Sequence, residues 1–144
     1  MSIGRVSSRL VVASAAAILF LASIASAQSP QEQAARKSAE DWLTLVDSGK
    51  YAESWQEAAS LFKSQVSQDQ WESKIRAVRE PLGKVRSRKL KSSQYTTSVP
   101  GAPDGEYVAI QYDTTLEHKK VAVETVTPML DKDGTWRVSG YFIK

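Results

Sequence analysis

At Glu80-Pro81 the hydrophobic period of this chain changes, and that change restricts the fold more than any other feature of the sequence. Upstream, apolar residues recur every three or four positions. From Gly83 onward, β-branched and aromatic residues take over and turn residues punctuate the runs. Proline pushes the residue before it out of the helical region, so the helical half has to stop at Glu80. Helices followed by strands give the order of an α+β domain, with the helices gathered on one face of the sheet.

The helical half divides into three amphipathic helices. Ser29-Pro30-Gln31-Glu32 supplies a cap, a proline suited to the first helical position and the acidic partner of a capping box. Ala35, Ala39, Trp42, Leu43 and Val46 then share one face, and Ser48-Gly49 stops the helix with a residue that tolerates positive φ. Tyr51, Trp55, Ala58, Ala59 and Phe62 predict a second helix, and Ser67 with Gln70 opens a third that turns Trp71, Ile75 and Val78 inward. Four strands are read at 84–98, 106–116, 120–130 and 135–143. Their short connections favour an antiparallel meander.

Residues 1–27 read as a secretory signal peptide: Arg5 and Arg9, an uncharged run from Leu10 to Ile24, then Ala25-Ser26-Ala27. The run is shorter than the roughly 20 apolar residues needed to span hydrocarbon. Cleavage after Ala27 leaves residues 28–144 as one domain, periplasmic or secreted, with no membrane span. It also removes two arginines and no acid, so the 19 basic and 16 acidic residues of the chain reduce to a net charge of +1.

Composition excludes several chemistries. Without cysteine there is no disulfide scaffold, thiol catalysis, Cys-based zinc site or lipid-anchored N-terminal cysteine. With His118 as the one histidine there is no multi-histidine metal site, and nothing in the sequence asks for a metal or another cofactor. His118 itself, among Glu117, Lys119 and Lys120, reads as a solvated turn residue.

Charge is uneven along the chain. Lys74 to Lys91 carries eight basic residues against Glu80 alone. Such a stretch can hold an anionic lipid head group, an acidic polysaccharide or an acidic protein, with Arg86 and Arg88 on one face of a regular strand. The competing reading is a lysine-rich edge strand that discourages pairing with other chains, Lys89 and Lys91 facing the other way. Nucleic acid is not an expected partner, since no aromatic platform is interleaved with these charges.

Candidate acid–base groups are few. Alternation places Tyr107, Ala109, Gln111 and Asp113 on one strand face, and Glu124 on the apolar face of Ala122 and Val126. A carboxylate on such a face can serve as a general base or be paired with a basic neighbour. In the last strand Trp136, Val138 and Phe142 share one side and Tyr141 and Ile143 the other, with Gly140 marking a bulge or a close approach. Helices cover only one sheet face, so the surplus aromatic surface suggests a homodimer contact through the sheet or a ligand groove.

Several segments together resemble a bacterial family of exported proteins, domain of unknown function 4019. They are Trp42-Leu43, Tyr51-Ala52-Glu53-Ser54-Trp55, Arg79-Glu80-Pro81-Leu82-Gly83, the loop Pro100 to Tyr107, Glu124-Thr125 and Asp133-Gly134-Thr135-Trp136-Arg137-Val138-Ser139-Gly140-Tyr141. The resemblance covers Ala34 to Lys144 and implies no activity, ligand or catalytic residue. The helices-then-sheet order and the terminal Asp-Gly-x-Trp-Arg-Val strand also look like the nuclear-transport-factor-like, cone-shaped α+β superfold, which hosts isomerases, dehydratases, binding modules and dimerisation domains. The chain departs from the enzymes of that superfold by lacking a clear acid–base pair. The expectation is therefore a non-enzymatic binding or protein-interaction module of the envelope, with Arg86, Arg88, Tyr107 and Tyr141 as candidate contacts to an envelope partner or a small ligand. The alternative is a cone-fold enzyme of isomerase or dehydratase type, with Asp113 or Glu124 as general base and a nearby tyrosine as hydrogen-bond donor.

Overall fold

A computed structural model describes residues 28–144; the signal peptide read at 1–27 lies outside them. Four α-helices, α1 Pro30–Asp47, α2 Tyr51–Gln56, α3 Ser60–Gln65 and α4 Gln68–Arg79, precede a single 3-10 turn at Glu80–Leu82. Strands β1 Val85–Thr96, β2 Tyr107–Leu116, β3 Lys119–Leu130 and β4 Trp136–Ile143 follow, forming one antiparallel sheet in the order β1-β2-β3-β4. The expected α+β class and the meander both stand. Among the described residues no helix is long and apolar enough to cross a membrane.

Both anticipated capping boxes form. Ser29 Oγ accepts from the Glu32 N–H at 3.2 Å while Glu32 Oε2 accepts from the Ser29 N–H at 3.1 Å, and Ser67 with Gln70 repeats the exchange. Gly49, at φ +72°, ends α1 as expected.

The second helix is corrected to two. Ala59 is extended because its N–H pairs with the Val138 carbonyl of β4, and Asp131 Oδ2 accepts from both the N–H and the hydroxyl of Ser60 to cap α3. Contacts with β4 and the turn before it thus override a helical period that runs through Ala58 and Ala59. A second correction concerns α4. Trp71, Ile75 and Arg79 line its buried face, and Val78, expected inside, is exposed.

Helices cover the face made by Val108, Ile110 and Tyr112 of β2, Val126 of β3 and Val138 of β4, and the core continues into Ala35, Ala39, Trp42, Leu43 and Val46 of α1. Trp42 and Trp71 are buried as expected, joined through Ser54: Trp42 Nε1 donates to its carbonyl at 2.8 Å and Trp71 Nε1 to its hydroxyl at 2.9 Å. Trp55 and Trp136 pack against the core but stay half-buried.

Bulges in β1 and β4 decide which side chains reach this core. Register shifts between Val85 and Ser87 and between Leu90 and Ser92 leave Arg86 and Lys91 as extra residues in β1. Another lies in β4, where Thr127 pairs with Gly140 but Pro128 with Val138, so Ser139 is extra. This last bulge reverses the expected faces beyond it. Tyr141 turns inward against Trp42, with ring centroids 5.4 Å apart, and Phe142 turns out.

The join between the halves is tight at Gly83. Its φ of +73° is a conformation side-chain-bearing residues rarely adopt, and a Cβ there would lie 2.8 Å from Glu117 Cβ in the β2–β3 turn. Backbone bonds from Glu117 N–H to the Lys84 carbonyl and from His118 N–H to the Leu82 carbonyl fasten the same junction.

Candidate functional site

Where the C-terminus of α1 and the end of α4 meet the sheet, two arginines and two carboxylates interlock. Glu124 of β3, fully buried, sits two strands away from Arg88 of β1, with Thr114 of β2 between them. Arg88 Nε donates to Glu124 Oε1 at 2.7 Å and Nη2 to Oε2 at 3.1 Å. The Thr114 hydroxyl donates to Oε1 at 2.6 Å, and the Tyr141 hydroxyl donates to Oε2 at 2.6 Å. Asp47, the last residue of α1, takes the other side of Arg88 at 2.7 and 3.0 Å and receives Arg79 Nη2 at 2.8 Å. Arg79 Nη1 lies 4.0 Å from Glu124 and 3.4 Å from the Tyr141 oxygen.

Two positive and two negative charges cancel, which makes their removal from water tolerable. Burial alone would lower the affinity of Arg88 for its proton, but the hydrogen bonds it donates to Asp47 and Glu124 hold it well above the ordinary guanidinium value. Burial likewise works against the Asp47 anion, yet the bonds from Arg88 and Arg79 keep its pKa below the usual carboxylate range. The Tyr141 hydroxyl is pushed far up, by desolvation first and the neighbouring Glu124 charge second, so it stays protonated and donates.

Each oxygen of Glu124 therefore receives two donors, which fills the acceptor capacity of a carboxylate. A general base needs a lone pair within reach of the proton it abstracts. The network spends Glu124 on closing the α1 and α4 ends onto the sheet. A cleft of about 400 Å³ opens beside it, lined by Asp47, Tyr51, Arg79, Lys84 and Glu117 among others. The other candidate base, Asp113, faces solvent away from the helices, 3.8 Å from Lys91. Near the network, the Tyr112 hydroxyl is buried without a partner among the described residues and is pushed up to about 12, by desolvation first and then by the Glu40 charge.

Of the four contact residues anticipated from sequence, the structure brings Arg88 and Tyr141 together on Glu124 and separates the other two. Arg86, displaced by its bulge, is exposed and lies 3.5 Å from Glu117. Arg86 and Arg88 therefore do not share a face, which corrects the regular-strand expectation. Tyr107 is buried on the other side of the sheet, its hydroxyl donating to the Pro103 carbonyl at 2.6 Å and anchoring the β1–β2 loop. The basic stretch lies partly along β1, an edge strand, with Lys89 and Lys91 exposed. His118 is exposed in the β2–β3 turn. Sequence reasoning did not single out Asp47 and Thr114, and it placed Arg79 in the basic stretch and in a family segment but not as a buried partner of a carboxylate. The signal for Arg79 was its spacing of four from Ile75 and eight from Trp71.

Among the described residues no cluster of three or more His, Asp or Glu side chains is arranged to hold a metal ion. Fold and site together define a single-sheet α+β domain, helices on one face, closed by a buried arginine–carboxylate network. The chain belongs to the family described as protein of unknown function DUF4019, whose sequence model matches residues 38–141. The matched stretch contains every member of the network. Comparison with curated proteins gave no match.

Proposed function

We propose that this protein is an exported, non-enzymatic interaction module of the bacterial envelope that works by binding through its sheet. The observation that supports this most is the state of Glu124, a carboxylate buried inside the fold with all four acceptor positions occupied by the protein's own donors. Export is supported by the three-part pattern of residues 1–27.

The binding surface is the sheet face turned away from the helices. Val121 is 83% exposed and Phe142 50% exposed there, next to Val123, Thr125, Thr127 and Met129, all only half-buried. The partner this surface suits is a second copy, because an identical twisted sheet provides the matching pleat for face-to-face packing and a two-fold axis closes the contact. Sedimentation velocity on the purified protein tests this. A dimer is expected, with a Phe142→Lys, Val121→Lys double variant monomeric and unchanged in melting temperature; a monomeric wild type at every concentration would contradict the pairing. The mature protein isolated from cells should begin at Gln28 or its cyclised form, and a retained Met1 would contradict export by cleavage.

A further inference from the structure

The fold divides the basic stretch read from the sequence. Arg76, Arg79, Arg86 and Arg88 are each held by a carboxylate, at 3.5, 2.8, 3.5 and 2.7 Å, and Lys91 lies 3.8 Å from Asp113. Lys84 is not so held, and the sheet brings it beside two lysines from outside the stretch. The Glu117 N–H donates to the Lys84 carbonyl at 2.9 Å, and Leu116 pairs with Lys119 across the β2–β3 turn, so Lys84, Lys119 and Lys120 gather at one end of the sheet. Among the described residues none of the three side chains takes part in an ion pair or a hydrogen bond.

The acids at this end are already engaged. Glu117 has Arg86 at 3.5 Å and His118 at 4.0 Å. Asp47 and Glu80, which line the cleft beside Lys84, are held by Arg88 at 2.7 Å and by Arg76 at 3.5 Å. Lys84, Arg86, Lys119 and Lys120 therefore outnumber Glu117 around the turn.

Lysines on an edge strand guard against pairing with other chains. That reason covers Lys89 and Lys91 of β1 but not Lys119 and Lys120, which stand on the interior strand β3. The type of cation matters as well. Every arginine among the described residues has a carboxylate partner, and the unpaired cations are lysines. Arginine matches a fixed carboxylate or phosphate geometry, whereas lysine is a point charge on a flexible stem and suits an array of anions without fixed positions. A hairpin turn, moreover, meets a plane with all its charges together, while a linear polyanion needs a track to lie along.

We infer that the β2–β3 turn and the start of β1 dock on the surface of an anionic lipid bilayer, with Lys84, Lys119 and Lys120 among the headgroups. Sheets paired face to face leave their strand ends open, so this docking and the proposed pairing can fail separately.

Sedimentation of the purified protein with vesicles tests the docking. Vesicles of phosphatidylglycerol and phosphatidylcholine in equal parts should carry the protein down at low salt and release it as salt is added, and vesicles of phosphatidylcholine alone should not bind it. A lysine near such a surface contributes a factor of about five, so the Lys84→Gln, Lys119→Gln, Lys120→Gln variant should bind at least about tenfold more weakly. Arginine at the same three positions should keep the binding. Lys63→Gln, Lys74→Gln, Lys132→Gln removes equal charge from elsewhere and should bind like the wild type. Circular dichroism with a melting curve confirms that each variant is folded. Failure to bind the anionic vesicles, equal binding to phosphatidylcholine, a loss below tenfold in the first variant, or the same loss in the Lys63, Lys74 and Lys132 variant would each overturn the inference. Binding to polygalacturonate without binding to anionic vesicles would overturn it as well.

Discussion

Arg88 grips Glu124 across an intervening strand, Nε 2.7 Å from Oε1 and Nη2 3.1 Å from Oε2, and its far side is held by Asp47 at the end of α1. One guanidinium therefore links the edge strand, the interior of the sheet and the first helix. The planar fork of arginine suits this role, because it presents donors in fixed directions to two carboxylates at once. A lysine in its place would offer a point charge and could not hold both in register.

The Ser139 bulge sets an asymmetry between neighbouring residues. Tyr141→Phe removes the hydroxyl that donates to Glu124 and is expected to cost about 1.5–3 kcal/mol, the range for a hydrogen bond to a charged group. Phe142→Ala, on the exposed face, is expected to change stability by no more than about 0.5 kcal/mol. Urea denaturation of the two variants checks the pair; a reversed order would mean that β4 keeps its regular alternation.

Acid should loosen the network through Asp47. Its carboxyl pKa is lower in the folded protein than in the unfolded chain, so its contribution is complete above the unfolded value of about 3.9 and is lost as pH falls through the folded value. Stability curves for wild type and Asp47→Asn should therefore run parallel from neutral pH to about 4 and converge below it. Curves that stay parallel throughout the acid range would remove Asp47 from the account.

How much of this was legible in the sequence depends on how local each cause is. The ends of α1 and α4 were readable because Ser29 with Glu32 and Ser67 with Gln70 lie within one turn, and the strand order followed from short connections. Glu124 was visible as a carboxylate on an apolar face. Its partners were not, because Arg88 reaches it only after the bulge at Arg86 turns the strand, and a bulge is set by pairing with β2 rather than by residues nearby. The break between α2 and α3 was hidden for the same reason, since Asp131 and Val138 come from the other end of the chain. Arg79 was misjudged because its charge weighed more than its position on the buried face of α4.

Whether Glu124 is held for the fold by its arginine is read from the coupling energy between Arg88 and Glu124 in a double-mutant cycle. Arg88→Met should lower unfolding free energy by about 3–5 kcal/mol, since it leaves the buried Glu124 charge without its arginine, and Glu124→Leu should lower it by less, since Arg88 keeps its bonds to Asp47. The double variant should be no less stable than the weaker single variant, because the remaining groups then pack as apolar neighbours. Two small losses that simply add would contradict the account.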